Sequence, residues 1–222
     1  MKKIWRADWS CNKKDIFTLP LLMIACGIFG AIVVLVALVL DDTEDYVLMG
    51  TLMALVSYFL LMPAFFSANY SNWWHLSGSM GVTRKEFFFY MLLRQLVIAI
   101  ASYGILLLLW QGEMRLYSSM RPGLPNLTDL QDLARFLPAA AIIGASVTLQ
   151  MMLGALAVQF GPKGAGIFQA ILGGILWVLM IFDEVRARFL AVSDSVWLVL
   201  SLIALAASIV TILKINRKMM VK

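Results

Sequence analysis

The sequence predicts an all-α polytopic membrane protein with six transmembrane helices, and three observations carry that prediction. Apolar types make up 62% of the 222 residues and charged types only 14%, where a soluble domain averages roughly 45–50% and 25%. The mean hydropathy is +0.87. The apolar residues also gather into runs of about 20, the length that crosses the hydrocarbon core as a helix. These runs do not alternate, and lipid tolerates only helices or closed barrels because the backbone must satisfy itself, so the runs are read as helices. A soluble enzyme, a disordered chain and a disulfide scaffold are excluded together.

The elements follow in order. Residues 1–18 form a short amphipathic interfacial helix: Trp5, Trp9, Asn12 and Ile16 share a narrow arc, with Lys3, Arg6, Lys13 and Lys14 beside it. Tryptophan at headgroup depth and lysine toward anionic lipid suit that position, as an elbow against a partner or as a basic flank that fixes topology. Spans are expected at about 19–40, 47–66, 87–110, 136–160, 167–182 and 196–213, with 167–182 the shortest. Residues 1–40 are no cleavable signal peptide, because the apolar run is too long and no small-residue cleavage site follows it.

Lysine and arginine set the orientation. With a cytoplasmic N-terminus, the inner segments hold twelve of the eighteen basic residues, among them Lys2, Lys3, Arg6, Lys13, Lys14, Arg84, Lys85, Lys163 and Lys214. Outside lie Arg115, Arg121, Arg135, Arg186 and Arg188, with ten of the thirteen acids, beginning at Asp41, Asp42, Glu44 and Asp45. Both termini are therefore expected to be cytoplasmic, and the net charge of +5 reflects topology. It is not a nucleic-acid footprint. Cys11 and Cys26 are read as inert thiols. Asn126-Leu127-Thr128 matches a glycosylation sequon, which matters only in a secretory pathway.

Residues 67–86 are read as a cytoplasmic loop far longer than a turn requires. Tyr70, Trp73 and Trp74 are aromatic anchors, His75 follows, and Gly78 and Gly81 can redirect the chain. Thr83 and Glu86 have the spacing of a capping box that starts the third helix at Arg84. Arg84 and Lys85 then occupy a first helical turn, where cations oppose the macrodipole, so something else must favour them. Positive-inside bias is one explanation and a protein contact surface is the other.

With a basic amphipathic leader, six spans, a long loop after the second span and the run Met80-Gly81-Val82-Thr83-Arg84-Lys85-Glu86-Phe87, the chain resembles small bacterial ABC-2 type permeases over its whole length. The resemblance implies the membrane subunit of an ATP-binding cassette exporter. Two such subunits, identical or related, would pair with two ATPase subunits in the cytoplasmic membrane. They would move an apolar or amphipathic cargo, a class that in this family includes peptides. The resemblance places the coupling region at Tyr70–Ser79 and the following turn at Gly81–Phe87. It so makes Tyr70, Trp73, Trp74, His75, Gly81, Thr83, Arg84, Lys85 and Glu86 the ATPase-coupling residues. It also implies a re-entrant segment before the last span, near Val185–Val192.

Within the spans Arg94 is the single charge, and with Gln95 and Gln150 it forms a thin candidate substrate path. Arg94 could instead snorkel. Gln95, Gln150 and Gln159 are otherwise interhelical hydrogen-bonders. Small residues recur every four positions at Gly27 and Ala31, at Ala140, Gly144 and Thr148, and at Gly166, Ala170 and Gly174, as packing seams or a dimer seam. The lone His75 lies in the loop, no carboxylates pair in a span, and no metal-ligand cluster is visible, so no catalytic residues are expected. Gly161-Pro162-Lys163-Gly164-Ala165-Gly166 lacks the Gly-Lys-Ser/Thr ending of a P-loop. The chain is thus expected to hold no cofactor, with ATP and Mg in a partner. A vitamin importer's substrate-binding subunit and a non-transporting immunity or assembly protein are the rival readings.

Overall fold

The computed structural model describes residues 2–40, 47–120, 122, 134–181 and 210. All four elements in it are helices: α1 (Lys2–Leu40), α2 (Met49–Ser79), α3 (Arg84–Met120) and α4 (Phe136–Ile181). Each contains a stretch long and apolar enough to cross a membrane: Pro20–Leu40, Met49–Ser79, Arg84–Met120 and Pro138–Gly161. The chain is all-helical over the described residues and has the build of a membrane protein. The span expected at 196–213, apart from residue 210, the segment near Val185–Val192 and the sequon at Asn126 lie outside them.

Two boundaries differ from the sequence reading. No break separates residues 1–18 from the first span, because α1 runs through as 39 residues with Pro20 inside it. No glycine precedes Gly27, and Pro20 removes only one ladder bond, which a long helix tolerates in an apolar setting. Arg6 is exposed. The leader is helical as expected, but no elbow is cut into it.

The second correction concerns residues 67–86. α2 does not stop at Phe66 but continues to Ser79 as one 31-residue helix with Pro63 inside. No glycine lies between Gly50 and Gly78 to end it. Its serines return their hydroxyls to backbone carbonyls of the same helix: Ser67 donates to Ala64, Ser77 to Trp74 and Ser79 to Leu76, at 2.8, 2.9 and 2.7 Å. The polar residues that suggested a loop are thereby accommodated in the helix.

The break expected between 160 and 167 is present. Within α4, Gly161 adopts φ 75 and ψ 176, a conformation that essentially only glycine reaches. Pro162 follows at the first helical position of the second arm, where its missing N–H costs nothing. A side chain on Gly164 would strike Cβ of Phe160. The Gly-Pro-Lys-Gly run is therefore a corner that uses both glycines.

The helices assemble into two compact units. One is built chiefly from Met62–Gln95 and α4 from Gly144 onward; the other from Trp5–Leu61 and Leu96–Ile143. In the second, Leu38, Leu48 and Tyr117 form a buried cluster, packed by Val34, Leu35, Trp110 and Met114. There α1 meets α2 through glycine: a methyl on Gly30 would lie 2.8 Å from Cα of Gly50, and one on Gly50 would strike the Gly27 carbonyl and lie 3.1 Å from Cβ of Ala31. The Gly27/Ala31 seam is thus intramolecular packing, as small-residue stripes allow.

Candidate functional site

In the unit containing Met62–Gln95, α2 and α3 are joined by a turn of four residues, Met80–Thr83. Gly81 sits at φ 69. The Val82 N–H reaches the Ser77 carbonyl at 3.1 Å and the Gly81 N–H reaches Gly78 at 3.2 Å, the paired bonds of a Schellman C-cap. Thr83 then caps α3. Its hydroxyl accepts the Glu86 N–H at 3.3 Å, while the Glu86 carboxylate accepts the Thr83 N–H at 3.3 Å and hydroxyl at 3.1 Å. This is the capping box the spacing predicted. Because L-residues other than glycine are strained at positive φ, Gly81→Val should destabilise the hairpin by roughly 1–2 kcal/mol, read as a lower thermal midpoint in detergent.

Arg84 explains its own unfavourable place at the start of α3. Its guanidinium lies 4.1 Å from the centroid of the Trp74 ring, and Nη1 donates to the Trp74 carbonyl at 2.9 Å. The side chain thus belongs to the last turns of α2, where a cation meets the negative end of a helix dipole. It closes the hairpin by cation–π contact and hydrogen bond together. Arg84→Ala should cost roughly 1–2 kcal/mol, and Arg84→Lys should recover only part of it, since an ammonium lacks the planar fork. Chemical unfolding of the purified variants measures both.

Under the turn the aromatics interlock. Tyr70 and Trp74 each meet the Phe87 ring edge-on, with centroids 5.2 and 5.5 Å apart, and Phe66 meets Tyr70 at 5.4 Å. Such pairs add about 0.5–1.5 kcal/mol each beyond burial. Tyr70 also lies against α4: a methyl on Gly154 would come within 2.6 Å of its ring. Tyr70, Trp73 and Trp74 are 1–4% exposed, so they build the hairpin from inside. Of the other coupling candidates, His75, Gly81, Thr83, Lys85 and Glu86 are exposed and Arg84 is half-buried.

The substrate-path candidates are not gathered in the same way. Arg94 and Gln95 are adjacent on α3, at 7% and 2% exposure. Arg94 is thus an interior residue of its unit. Gln150, on α4, is buried and donates to Ser146 of its own helix at 2.8 Å, so the contact is within the helix and not between helices. Gln159 is exposed.

Sequence reasoning missed Glu113. It was counted with the outer acids because the apolar run ends at Trp110, yet α3 continues to Met120. In the unit holding Trp5–Leu61 and Leu96–Ile143, Glu113 is 5% exposed. Oε1 accepts the Gly50 N–H at 2.9 Å and the Tyr117 hydroxyl at 2.7 Å. Oε2 accepts the Thr51 N–H and hydroxyl, both at 2.7 Å. A carboxylate of α3 thus caps the N-terminus of α2, whose positive dipole end and unpaired N–H groups favour an anion. A cavity of about 340 Å³ lies alongside, lined by Glu113, Gly50, Gly112 and apolar side chains of α1 and α3. Among the described residues no group of three or more His, Cys, Asp or Glu could hold a metal ion. Comparison with protein-family models, curated proteins and solved structures finds no match to this chain.

Proposed function

We propose that the chain is the membrane subunit of an ATP-driven exporter for an apolar or amphipathic cargo, energised by a separate ATPase that docks on the α2–α3 hairpin. The supporting observation is the construction of that hairpin. A Schellman C-cap, the Thr83–Glu86 capping box, the Arg84–Trp74 clamp and the Tyr70–Phe87–Trp74 stack fix its tip, while His75, Lys85 and Glu86 stay exposed. A segment stiffened from within, with His75, Lys85 and Glu86 outside, can receive a push and transmit it along two helices.

In this reading the first part of α2 crosses the bilayer and residues 67–79 extend about 20 Å beyond it at 1.5 Å per residue. The coupling element is then a helical extension in place of a loop. Six spans follow from the apolar runs, and cytoplasmic termini from the distribution of lysine and arginine. The chain has no P-loop motif, so ATP and Mg belong to the partner, and a second permease subunit, identical or related, completes the pathway. Sparse charge in the spans suits an apolar or amphipathic cargo better than an ion.

The exposed cation Lys85 supplies the clean test, because Arg84 has a structural task. Lys85→Glu should leave membrane insertion and thermal midpoint within error of wild type while abolishing association with the ATPase. Unaltered association, or loss of association only together with folding, would sink the docking assignment.

A further inference from the structure

We infer that Glu113 is a proton-binding site whose surroundings satisfy both its ionised and its neutral form. In the ionised form the carboxylate takes four donors: the N–H groups of Gly50 and Thr51 and the hydroxyls of Thr51 and Tyr117. A static cap needs nothing more. The Tyr117 hydroxyl oxygen, however, also lies 3.2 Å from the Ala31 carbonyl of α1, an acceptor it does not use while its proton points at Oε1.

That second acceptor has a chemical consequence. When Oε1 takes a proton from water, the new O–H bond can donate to the Tyr117 oxygen across the same 2.7 Å. Tyr117 keeps its own proton and turns it to the Ala31 carbonyl. Gly50 N–H still reaches Oε1, and the two Thr51 donors still reach Oε2, now a carbonyl oxygen. Each of the donors named here has an acceptor in both states. One proton is bound, and one hydroxyl rotates.

Among the described residues, few charged or titratable groups lie near the carboxylate. Tyr117, on the same helix, faces the carboxylate directly. α2 brings Gly50 and Thr51, and α1 brings Gly27, Ile28 and Ala31 beside it, none of which titrates. Arg115 is exposed. Asp41, Asp42, Glu44 and Asp45 precede α2 in sequence and lie outside the described residues. The carboxylate sits where α2 begins, next to the non-helical Val47 and Leu48. Nothing in this site depends on an ATPase partner, so the inference stands apart from the exporter reading.

The test is infrared difference spectroscopy of the purified, full-length chain as pH is lowered, with circular dichroism recorded on the same samples. The expected result is a carbonyl stretch of a protonated carboxyl group that is missing in Glu113→Gln and displaced in frequency in Tyr117→Phe, which removes the acceptor for the new proton. Should Glu113→Gln fail to fold, the Tyr117→Phe displacement alone assigns the band. The inference is overturned if wild type gives no such band at any pH at which it stays helical, or if Tyr117→Phe leaves every carboxyl band unmoved.

Discussion

Glu113→Ala is expected to be among the most damaging single substitutions in the described part of the chain. It strips the acceptor from the Gly50 and Thr51 N–H groups and from the Thr51 and Tyr117 hydroxyls, all at 2.7–2.9 Å from the carboxylate. An orphaned buried donor costs about 1–3 kcal/mol. The two hydroxyls can turn to other acceptors, but the two backbone N–H groups are fixed in the first turn of α2 and have no helical partner. A loss of roughly 3 kcal/mol or more follows from the two orphaned groups together. Arg115→Ala, at an exposed position two residues away, should change stability by no more than about 0.5 kcal/mol. Reversible unfolding in mixed micelles separates the two. Equal, small losses would mean that the carboxylate does not hold α2.

A comparable effect is expected from Gly50→Val, by a different route. A side chain at this position meets the Gly27 carbonyl and the Ala31 backbone nitrogen of α1, and backbone atoms cannot move aside as a flexible side chain can. Overpacking of this kind costs typically about 1–3 kcal/mol and occasionally more. Here it also draws the Gly50 N–H away from Glu113, which places the expected loss near the upper end, at about 3 kcal/mol. Gly112→Ala makes the control, because an added methyl there meets nothing within 4 Å. The two losses in Gly50→Val and Glu113→Ala should not add in the double variant, since both act on the start of α2.

The parts of this fold that could be read from sequence are those fixed by local chemistry. Long apolar runs demand helices, Thr83 and Glu86 announce a helix start, and the gap between the runs 136–160 and 167–182 announces a break; among the described residues each is found where its residues lie. What could not be read depends on contacts made at a distance. An apolar run marks where the hydrocarbon ends, and helices go on as long as something satisfies them. α2 continues past Phe66 because Tyr70 and Trp74 stack on Phe87 and Arg84 reaches back to it.

The same limit hid Glu113. Two faint signals were nevertheless present. Val47 and Leu48 offer α2 no capping side chain, so its first N–H groups needed an acceptor from elsewhere. Glu113 and Tyr117 are four apart, the spacing of neighbours on one helical face. Among the coupling candidates, the sequence located the hairpin but not its inside and outside. Tryptophans that suggested a partner surface prove buried, and Lys85, which suited a topology signal and a contact surface alike, is exposed.

Whether this chain works as the membrane half of an ATP-driven transporter is tested most directly by purifying the tagged chain from its native host in mild detergent. Co-purifying proteins would be identified and the eluate assayed for ATP hydrolysis. The exporter reading predicts a near-stoichiometric partner carrying a P-loop, with ATPase activity that disappears from the Lys85→Glu preparation. A folded, monodisperse chain that brings down no ATPase would contradict it and would put an immunity or assembly role in its place.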